Sequence, residues 1–426
     1  MTTIAVPYGS THIRIEIPEA QLQGVYMPQE MTPVADAAAE IARALREPIA
    51  APGLAQLAAG ARRVVVVADD MTRATPTQVI LPVLLDALNA AGVPDDAVEV
   101  IVALGTHRAM TEAEIEGKFG RSVTQRVAVH NHDAYDPTVL QDIGQTPSGL
   151  PVSVHTRVMA ADLVIGVGSI VPHHIPGYSG GAKIIQPGVC GARTSGEVHL
   201  LSVRHPGGLL GVLENRVRHE MEVIGERAGL RAILNTVLDR EGRLVRAVYG
   251  DPRAAFRAGA ALARQGYGVP VKGLADIVVA SSHPCDIEFW QAHKTLYSAE
   301  RCVRSGGTLI IVTPCPEGLA VTHPEMTEFA GHSYDALDRM LAAGEIADLT
   351  AGALALAWAG VRRHAHVAIV SGGISPEVAR AVGFEPHATL DEALRSALER
   401  HGPDATISVL PHAPDTLPLL PASPAH

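Results

Sequence analysis

The stretch between residues 172 and 183 brings several reactive groups into one short loop. It runs Pro-His-His-Ile-Pro-Gly-Tyr-Ser-Gly-Gly-Ala-Lys and contains two adjacent imidazoles, His173 and His174. Histidine moves protons near neutral pH and binds metals, and Lys183 supplies either a charge or a nucleophilic amine. The loop also holds three glycines, whose backbone N–H groups can approach an anion closely. These are Gly177, Gly180 and Gly181. This composition is typical of a cofactor site.

Two nucleotide-binding motifs fail to account for the loop. A P-loop requires glycine before its lysine and serine or threonine after it, whereas Ala182 and Ile184 occupy these places. The nearby Gly166-Val-Gly168 has no third glycine at the spacing of a dinucleotide fingerprint. A plain glycine-rich turn is the alternative, because such turns are common. Taken alone, the loop leaves both interpretations open.

Continuous apolar runs lead into this loop and into two other groups of polar residues. The runs are residues 64–68, 98–103 and 163–167. Apolar runs without alternation predict strands buried on both faces, and helical segments alternate with them here. This pattern is typical of a largely parallel sheet flanked by helices, so the expected fold class is α/β.

Polar side chains that follow such strands are the strongest site candidates, since ligands of open α/β sheets lie beyond the carboxyl ends of the strands. Asp70, Thr72 and Arg73 follow the first run, and His107 follows the second. The third run continues into the loop itself. An acid, a guanidinium and several imidazoles are therefore expected to meet at one edge of the sheet.

The chain is long enough for two domains, because 426 residues exceed what one hydrophobic core usually organises. It opens on a predicted hairpin, and a Gly/Pro cluster near residue 268 marks a linker. We expect α/β domains over residues 1–268 and 269–408, each with a largely parallel sheet flanked by helices. A Pro-rich tail over 409–426 is expected to be extended or partly disordered. The active site is predicted in the cleft between the domains.

The second predicted domain offers its own polar groups after an apolar run at residues 277–280. A helix start there carries Gln291 and Lys294, which lie three residues apart on one helical face. Arg73 and Lys294 suit a carboxylate or phosphate, the arginine through a two-pronged fork and the lysine as a point charge. An exposed surface role is the alternative for each.

Composition excludes several partner classes. The net charge is −11, no segment is rich in Lys or Arg, and there are only five Phe, two Trp and eight Tyr. Nucleic acid and membrane surfaces are therefore not expected partners. The four cysteines form no C-x-x-C pair, and we find neither a signal peptide nor an apolar run long enough to span a bilayer. We expect a cytoplasmic protein that acts on a small molecule.

Other histidines give weaker signals. His199 lies on a predicted helix just after the loop, and a lone helical histidine is more often a core or surface residue. The pairs His130/His132 and His364/His366 are expected to be loop or strand-edge imidazoles rather than metal ligands.

In order and spacing, these fragments resemble the nickel-pincer nucleotide-dependent lactate racemase family. The resemblance spans a little over half of the chain, and Ala74 stands where the family often has proline. The matching fragments are Asp70-Met-Thr-Arg73-Ala-Thr-Pro76, Gly105-Thr-His107, Pro172-His173, Gly177-Tyr-Ser-Gly-Gly-Ala-Lys183, His199, Asp286 and Gln291-Ala-His-Lys294.

The resemblance implies a cofactor and a role for each matching residue. The cofactor is pyridinium-3,5-bisthiocarboxylic acid mononucleotide, which holds nickel through sulfur, carbon and sulfur and is made by separate maturation enzymes. Lys183 would attach it covalently through a thioamide, and His199 would be the fourth nickel ligand. His107 and His173 would exchange protons. Arg73, Gln291 and Lys294 would orient the substrate. The remaining residues implied at the cofactor are Asp70, Thr72, Gly177, Ser179, Gly180 and Gly181.

The expected reaction is racemisation or epimerisation of a 2-hydroxy acid, either lactate or a larger relative. The Cα–H of such an acid is a very weak proton donor beside its carboxylate, so hydride removal to the cofactor, through a 2-keto acid, avoids a carbanion. A two-thiol racemase would need paired cysteines, and nothing places Cys190 beside Cys285. A dehydrogenase or dehydratase on the same scaffold and a non-catalytic cofactor carrier are the alternatives. Trp290 and His293 flank the substrate motif, while Trp358 is expected in the core.

Overall fold

A computed structural model of the protein describes residues 1–205 and 207–421. Its internal contacts form two compact units. The unit that carries the 172–183 loop consists of residues 30–205 and 211–266 and is called the loop unit here. The other contains the N-terminal 29 residues, residues 207–210 and the chain from residue 267 onward, and is called the terminal unit. The chain passes from the loop unit to the terminal unit for the last time between residues 266 and 267, and residues 1–29 belong with the C-terminal segment. The predicted division into 1–268 and 269–408 stays a prediction.

The loop unit is built on a six-stranded sheet. Five of its strands are parallel, and only the edge strand Leu244–Gly250 runs antiparallel to its neighbour. The strand Val64–Ala68 lies near the middle, and all five of its residues are buried because helices cover both faces. In spatial order the strands are Leu244–Gly250, Leu230–Leu238, Leu163–Ser169, Val64–Ala68, Val98–Val102 and Ala128–Asn131.

Helices and short ribbons complete the loop unit. The helix Glu112–Phe119 begins at a capping box in which Thr111 and Glu114 satisfy each other's backbone N–H groups. The hairpin Leu140–Gln145/Pro151–His155 and the ribbon Pro172–His173/Gly177–Tyr178 stand apart from the main sheet. The other helices are Ala37–Arg46, Leu54–Leu57, Thr77–Ala90, Arg121–Thr124, Thr156–Met159, Ala192–Val203, Arg216–Arg227 and Ala254–Tyr267, and the 3-10 turns are Asp95–Ala97, Pro137–Val139 and Gly181–Ile184.

The terminal unit contains a second six-stranded sheet, which is parallel throughout. Its edge strand Leu22–Val25 comes from the N-terminal segment and pairs with Ile407–Leu410. The predicted opening hairpin is present as Thr2–Tyr8 and Thr11–Ile17, and its apolar face packs into the same core. These pairings explain why residues 1–29 belong to this unit. The remaining strands, in spatial order, are Glu385–His387, His366–Val370, Val303–Val312 and Ala275–Ser281.

Helices of the terminal unit flank this sheet. The longest, Leu349–His364, begins at Asp348, whose side chain accepts from the backbone N–H groups of Thr350 and Ala351. The others are Phe289–Ala292, Lys294–Glu300, Met326–Phe329, Tyr334–Ala343, Pro376–Ala381 and Leu390–His401. The α/β class predicted from the apolar runs is thus confirmed in both units. Within the described residues, no helix is long and apolar enough to cross a membrane.

The segment predicted as a Pro-rich tail, residues 409–426, is folded into the terminal unit in its described part, with an extended strand at Leu417–Leu419. Val409 and Leu410 complete a central strand, and Leu417–Leu419 pairs in parallel with Gly268–Pro270. Thr416 is fully buried, and its carbonyl accepts from Ser298 Oγ at 2.8 Å. The prolines are compatible with this folding because they occur here in a 3-10 turn and at a two-stranded edge, where a missing N–H costs little. Residues 422–426 lie outside the described part of the chain.

Candidate active site

Three neighbouring parallel strands of the loop unit end beside one another, and each continues into predicted site residues. Val64–Ala68 leads to Asp70, Val98–Val102 leads to His107, and Leu163–Ser169 leads to the 172–183 loop. After Val64–Ala68 the chain continues to Val98–Val102 on one side, whereas after Leu163–Ser169 it continues to Leu230–Leu238 on the other. The strand order thus reverses between Val64–Ala68 and Leu163–Ser169, and at such a point open α/β sheets form a ligand crevice. The sheet order therefore supports the predicted convergence.

Asp70 and His107 form a buried acid–imidazole pair. The distance between Asp70 Oδ2 and His107 Nδ1 is 2.6 Å, and Asp70 is only 3% exposed. Burial alone would raise the pKa of Asp70, but the charge and hydrogen bond of His107, together with the charge of Arg73, lower it well below its usual range. The carboxylate thus stays ionised and accepts a hydrogen bond from His107 Nδ1–H, which turns Nε2 away from Asp70. Such an imidazole is oriented as a general base.

The same carboxylate organises the chain that follows it. Asp70 Oδ1 accepts from Thr72 Oγ1 at 2.6 Å and from the Thr72 backbone N–H at 3.1 Å. Arg73 Nη1 in turn donates to Thr72 Oγ1 at 2.9 Å. Asp70 thus bonds to His107 and Thr72, and it acts on Arg73 through charge.

Lys118 supports this segment from the neighbouring helix. Its Nζ donates to the backbone carbonyls of Arg73 at 2.6 Å and Thr75 at 2.8 Å. Burial lowers the pKa of Lys118, although the charges of Asp69 and Asp70 oppose this effect. Sequence analysis missed this lysine because nothing in its helical position distinguishes it from an exposed lysine.

His173 lies in the short ribbon that opens the loop and is 7% exposed. Its Nδ1 accepts from the backbone N–H of Ile175 at 3.2 Å, so the two ring nitrogens have different surroundings. His174 stacks on His173 with 4.7 Å between ring centroids and an interplanar angle of 14°. The second imidazole thus contacts the first as a packing surface, which is a role that the sequence did not suggest for His174.

The glycines of the loop are needed by its backbone. Gly177, Gly180 and Gly181 have φ angles of +85°, +76° and +60°, in the region that side chains disfavour. A Cβ atom on Gly177 would also lie 1.9 Å from the carbonyl oxygen of Val212. Ser179 Oγ, which is buried, donates to the carbonyl of Ser169 at 2.7 Å and accepts from Val171 N. The loop is thus a fixed turn that carries Lys183 on the 3-10 turn Gly181–Ile184.

His199 lies on the helix Ala192–Val203, which follows the loop in the same unit. Its Nδ1 lies 2.6 Å from the carbonyl oxygen of Ser195. A carbonyl can only accept, so Nδ1 carries the proton and Nε2 carries the lone pair. Histidine ligands of metals are commonly oriented in this way by a partner on the other ring nitrogen. The orientation of His199 therefore fits a single imidazole ligand for a metal.

The predicted substrate residues of the terminal unit are also bonded to each other. Lys294 Nζ donates to Gln291 Oε1, so the two side chains form one polar pair at the junction of two short helices. The segment follows the carboxyl end of the strand Ala275–Ser281. Gln291 is 6% exposed. The expectation of a cleft between the domains stays a prediction.

Aromatic contacts hold the helix of Gln291. Trp358 is fully buried, as predicted, and its Nε1 donates to His293 Nδ1 at 3.2 Å. Trp290 stacks on His323 with 3.8 Å between centroids. His293 is thus buried and bonded within the aromatic core of this unit.

A second Asp–His pair occurs in the terminal unit. His323 Nδ1 lies 2.7 Å from Asp348 Oδ2, and Glu325 lies close enough to complete a candidate metal-binding cluster. The other oxygen of Asp348 caps a helix. Asp348 therefore has a structural role, because it orients the His323 ring that stacks on Trp290. None of the three residues belongs to the predicted nickel site.

Family models and relatives agree with this architecture. The model of the lactate racemase N-terminal domain matches residues 8–211, and that of the lactate racemase C-terminal domain matches residues 271–415. The chain belongs to the lactate racemase family. This assignment confirms the resemblance inferred from the sequence fragments, and the family consists of isomerases that act on hydroxy acids.

Individual relatives cover most of the chain. A lactate racemase of Thermoanaerobacterium thermosaccharolyticum is 31% identical over 75% of this chain and 76% of its own length. One of Lactiplantibacillus plantarum is 28% identical over 96% and 98%. Among solved structures, the lactate racemase apoprotein of T. thermosaccharolyticum superposes with a TM-score of 0.89 at 27% identity, covering 98% of this chain and all of that one. A Thermotoga maritima protein shares the fold, with a TM-score of 0.70 at 20% identity over 90% and 98% of the two chains.

Proposed function

We propose that this protein is a racemase or epimerase of a 2-hydroxy acid that works with a nickel-pincer nucleotide. Membership of the lactate racemase family supports the reaction class. The observation that carries the proposal for this chain is the Asp70–His107 pair at the carboxyl end of the central strands. A carrier that only binds a cofactor needs no imidazole held ready for proton transfer.

The residues present fit the proposed cofactor. Lys183, on its fixed turn, would hold the nucleotide covalently, and His199, with its proton fixed on Nδ1 by Ser195, would bind nickel through Nε2. The glycine-rich turn and Ser179, with Asp70 and Thr72, would surround the nucleotide. When bound, the group supplies an electrophilic centre that takes up and returns a hydride from the substrate Cα.

The protein's own part is to move the hydroxyl proton. His107 accepts it at Nε2, and the resulting imidazolium is stabilised by ionised Asp70. The planar 2-keto acid can be reduced at Cα on either face, and its carbonyl oxygen must then take a proton back from a protonated imidazole. His107 would return this proton on one side and His173 on the other, so that both enantiomers are substrates.

Substrate orientation falls to charged and polar groups. The Arg73 guanidinium, held by Thr72 and by the field of Asp70, binds the carboxylate in a two-pronged manner. Gln291 and Lys294 act as one bonded pair on the substrate oxygens. Trp290 directly precedes Gln291 in the sequence and would shape the substrate pocket beside this pair. The proposed substrate is lactate or a larger 2-hydroxy acid. We further propose that the protein receives its cofactor from maturation enzymes in the cytoplasm.

The decisive experiment uses protein matured with the cofactor-making enzymes. Single enantiomers of several 2-hydroxy acids are incubated without NAD, and chiral chromatography follows the products. At least one acid should reach an equal mixture from either side. Net oxidation that requires NAD would support a dehydrogenase instead, and a bound cofactor without turnover of any acid would support a carrier.

Two variants separate the proposed roles. Lys183→Ala should lose the added mass of the cofactor, and His199→Ala should lose nickel while remaining folded. The matched control is His219→Ala, because His219 is an exposed helical histidine in the same unit. Full nickel content in His199→Ala would rule out the ligand role.

A further inference from the structure

Three buried side chains from separate elements meet the turn that carries Lys183. They come from the helix Arg216–Arg227, the strand Leu230–Leu238 and the helix Ala254–Tyr267. The side chains are those of Arg218, Asn235 and Phe256, which are at most 1% exposed. None of them belongs to the sequence fragments from which the site was predicted.

Arg218 contacts the turn through its guanidinium. Nη1 donates to the carbonyl of Gly180 at 2.9 Å, and Nη2 donates to the carbonyl of Tyr178. The same guanidinium lies over the ring of Phe256, 4.0 Å from its centroid. Burying a guanidinium is costly unless its N–H groups find partners. Here these partners are two carbonyls of the loop, so the charge is buried where it can fix the loop backbone.

Asn235 contacts the turn from the sheet. Its Oδ1 accepts from the backbone N–H of Gly181 at 2.8 Å, and a Cβ on Gly180 would lie only 2.8 Å from the same oxygen. Asn235 is fully buried in a strand whose other residues are apolar except Arg231 and Thr236. A buried amide in such a strand stabilises a structure only if it is bonded, and the bond it makes is to the turn.

Phe256 packs against the turn from the helix Ala254–Tyr267. A Cβ on Gly181 would lie 2.9 Å from Phe256 Cγ, so the ring packs directly on the glycine backbone. It also covers Arg218, which couples the two contacts. Gly180 and Gly181, both with positive φ, are therefore held by a cation, an amide and an aromatic ring.

We propose that Arg218, Asn235 and Phe256 act as positioning residues that hold the 178–183 backbone in the conformation in which Lys183 takes up the cofactor. Attachment requires the lysine amine to meet its partner in one geometry, and small displacements of a reacting group are costly. Of the three residues, Arg218 should contribute most to holding this backbone, because it donates to two of its carbonyls. The role in attachment rests on the function proposed above, whereas the effect on the turn does not.

The first test measures the turn without any cofactor. Hydrogen exchange followed by mass spectrometry is carried out on apo-protein with Arg218→Met, Asn235→Ala and the control Arg253→Met. Arg253 pairs with Glu222 and Glu226 in the same region and makes none of the contacts to the turn described above. Peptides that cover residues 178–186 should exchange at least about tenfold faster in the first two variants and at the wild-type rate in the control.

The second test measures attachment per folded molecule. After maturation, intact mass should show the adduct reduced at least about tenfold in Arg218→Met and partly restored in Arg218→Lys, which keeps a donor and the charge. Lys183→Ala marks complete loss. If wild-type protein shows no adduct, the proposed cofactor is wrong, and the exchange measurement still decides whether the turn is clamped.

Two outcomes would overturn the inference. One is wild-type exchange at 178–186 together with a normal adduct in Arg218→Met. The other is faster exchange spread evenly over the loop unit, which would make Arg218 a general core residue. If Arg218→Met does not fold, Asn235→Ala is judged by the same two criteria, since it removes a single neutral hydrogen bond.

Discussion

The two units hold their proposed functional side chains by different physical means. In the loop unit, directional bonds to charged groups fix them, as with Asp70 on His107 and Lys118 on the carbonyl of Arg73. In the terminal unit, stacked and edge-on aromatic rings pack against the helix of Gln291, beside the neutral bond from Trp358 to His293. A hydrogen bond fixes the position of a proton, whereas the packing of rings fixes the position of the helix that carries the side chain. Chemistry should therefore be sensitive to single atoms in the loop unit and tolerant of them in the terminal unit.

The largest expected effect comes from comparing the Asp70–His107 and Asp348–His323 pairs, which have nearly the same length. Asp70→Asn keeps the shape but holds His107 in the wrong tautomer, and it should lower kcat by about 10³-fold or more. Asp348→Asn changes the 2.7 Å pair with His323 and should lower kcat by less than about tenfold. Racemisation rates of matured protein check both. An equal loss of kcat in Asp70→Asn and Asp348→Asn would show that the two units do not differ in their sensitivity to single atoms.

Aromatic packing in the terminal unit should contribute mainly to the free energy of unfolding. Trp358 is fully buried and lies 5.2 Å from the ring of Phe289, edge to face. Trp358→Ala leaves a large cavity and should lower the free energy of unfolding by about 3–5 kcal/mol. Trp358→Phe keeps a ring and should cost less. Denaturant unfolding of the apo-protein measures both, and a loss below about 1 kcal/mol for the alanine variant would show that the rings do not support this unit.

Acid should weaken the loop unit through His155. Burial, with smaller contributions from the charges of His132 and Arg157, lowers the pKa of His155 from 6.5 to about 4. Between pH 6.5 and pH 4, His155 is protonated in the unfolded chain but not in the folded protein. The free energy of unfolding therefore falls as the pH decreases toward 4. The total loss is roughly 3 kcal/mol.

An isosteric variant isolates this contribution. His155 Nδ1 accepts from Arg157 N at 3.1 Å, and the Oδ1 of asparagine can accept in its place. His155→Asn should therefore flatten the decline between pH 6.5 and 4, while His12→Asn, at an exposed position of the terminal hairpin, should not. Unfolding curves at several pH values decide, and an unchanged slope in His155→Asn would assign the acid lability elsewhere.

The smallest expected effect is on substrate choice. Trp290 stacks on His323 and precedes Gln291. Trp290→Phe keeps a stacked ring of smaller area, so the ratio of KM values for large and small 2-hydroxy acids should change by less than about tenfold, at nearly constant kcat. A comparable loss of kcat would show that the terminal unit also positions the reacting atoms.

Much of the fold could be predicted because it depends on local patterns. The run at residues 64–68 predicts a buried strand from five apolar residues in a row, and the hairpin at the start of the chain follows from alternation around a glycine turn. The site fragments were also recognisable, since glycine, histidine and lysine at fixed spacing survive as a pattern. Asn235 left a signal too, as the one amide in a mainly apolar strand.

The chain's composition and patterning by themselves determined the α/β class, the family and the identity of the candidate site residues. Only the tertiary structure decided their partners. It joined Asp70 to His107 across 37 positions of sequence, brought Arg218 to the carbonyl of Gly180, and placed residues 1–29 and the segment up to 421 in one unit. The physical reason is that local pattern reflects burial and backbone preference, whereas a hydrogen bond to a distant atom depends on how elements pack.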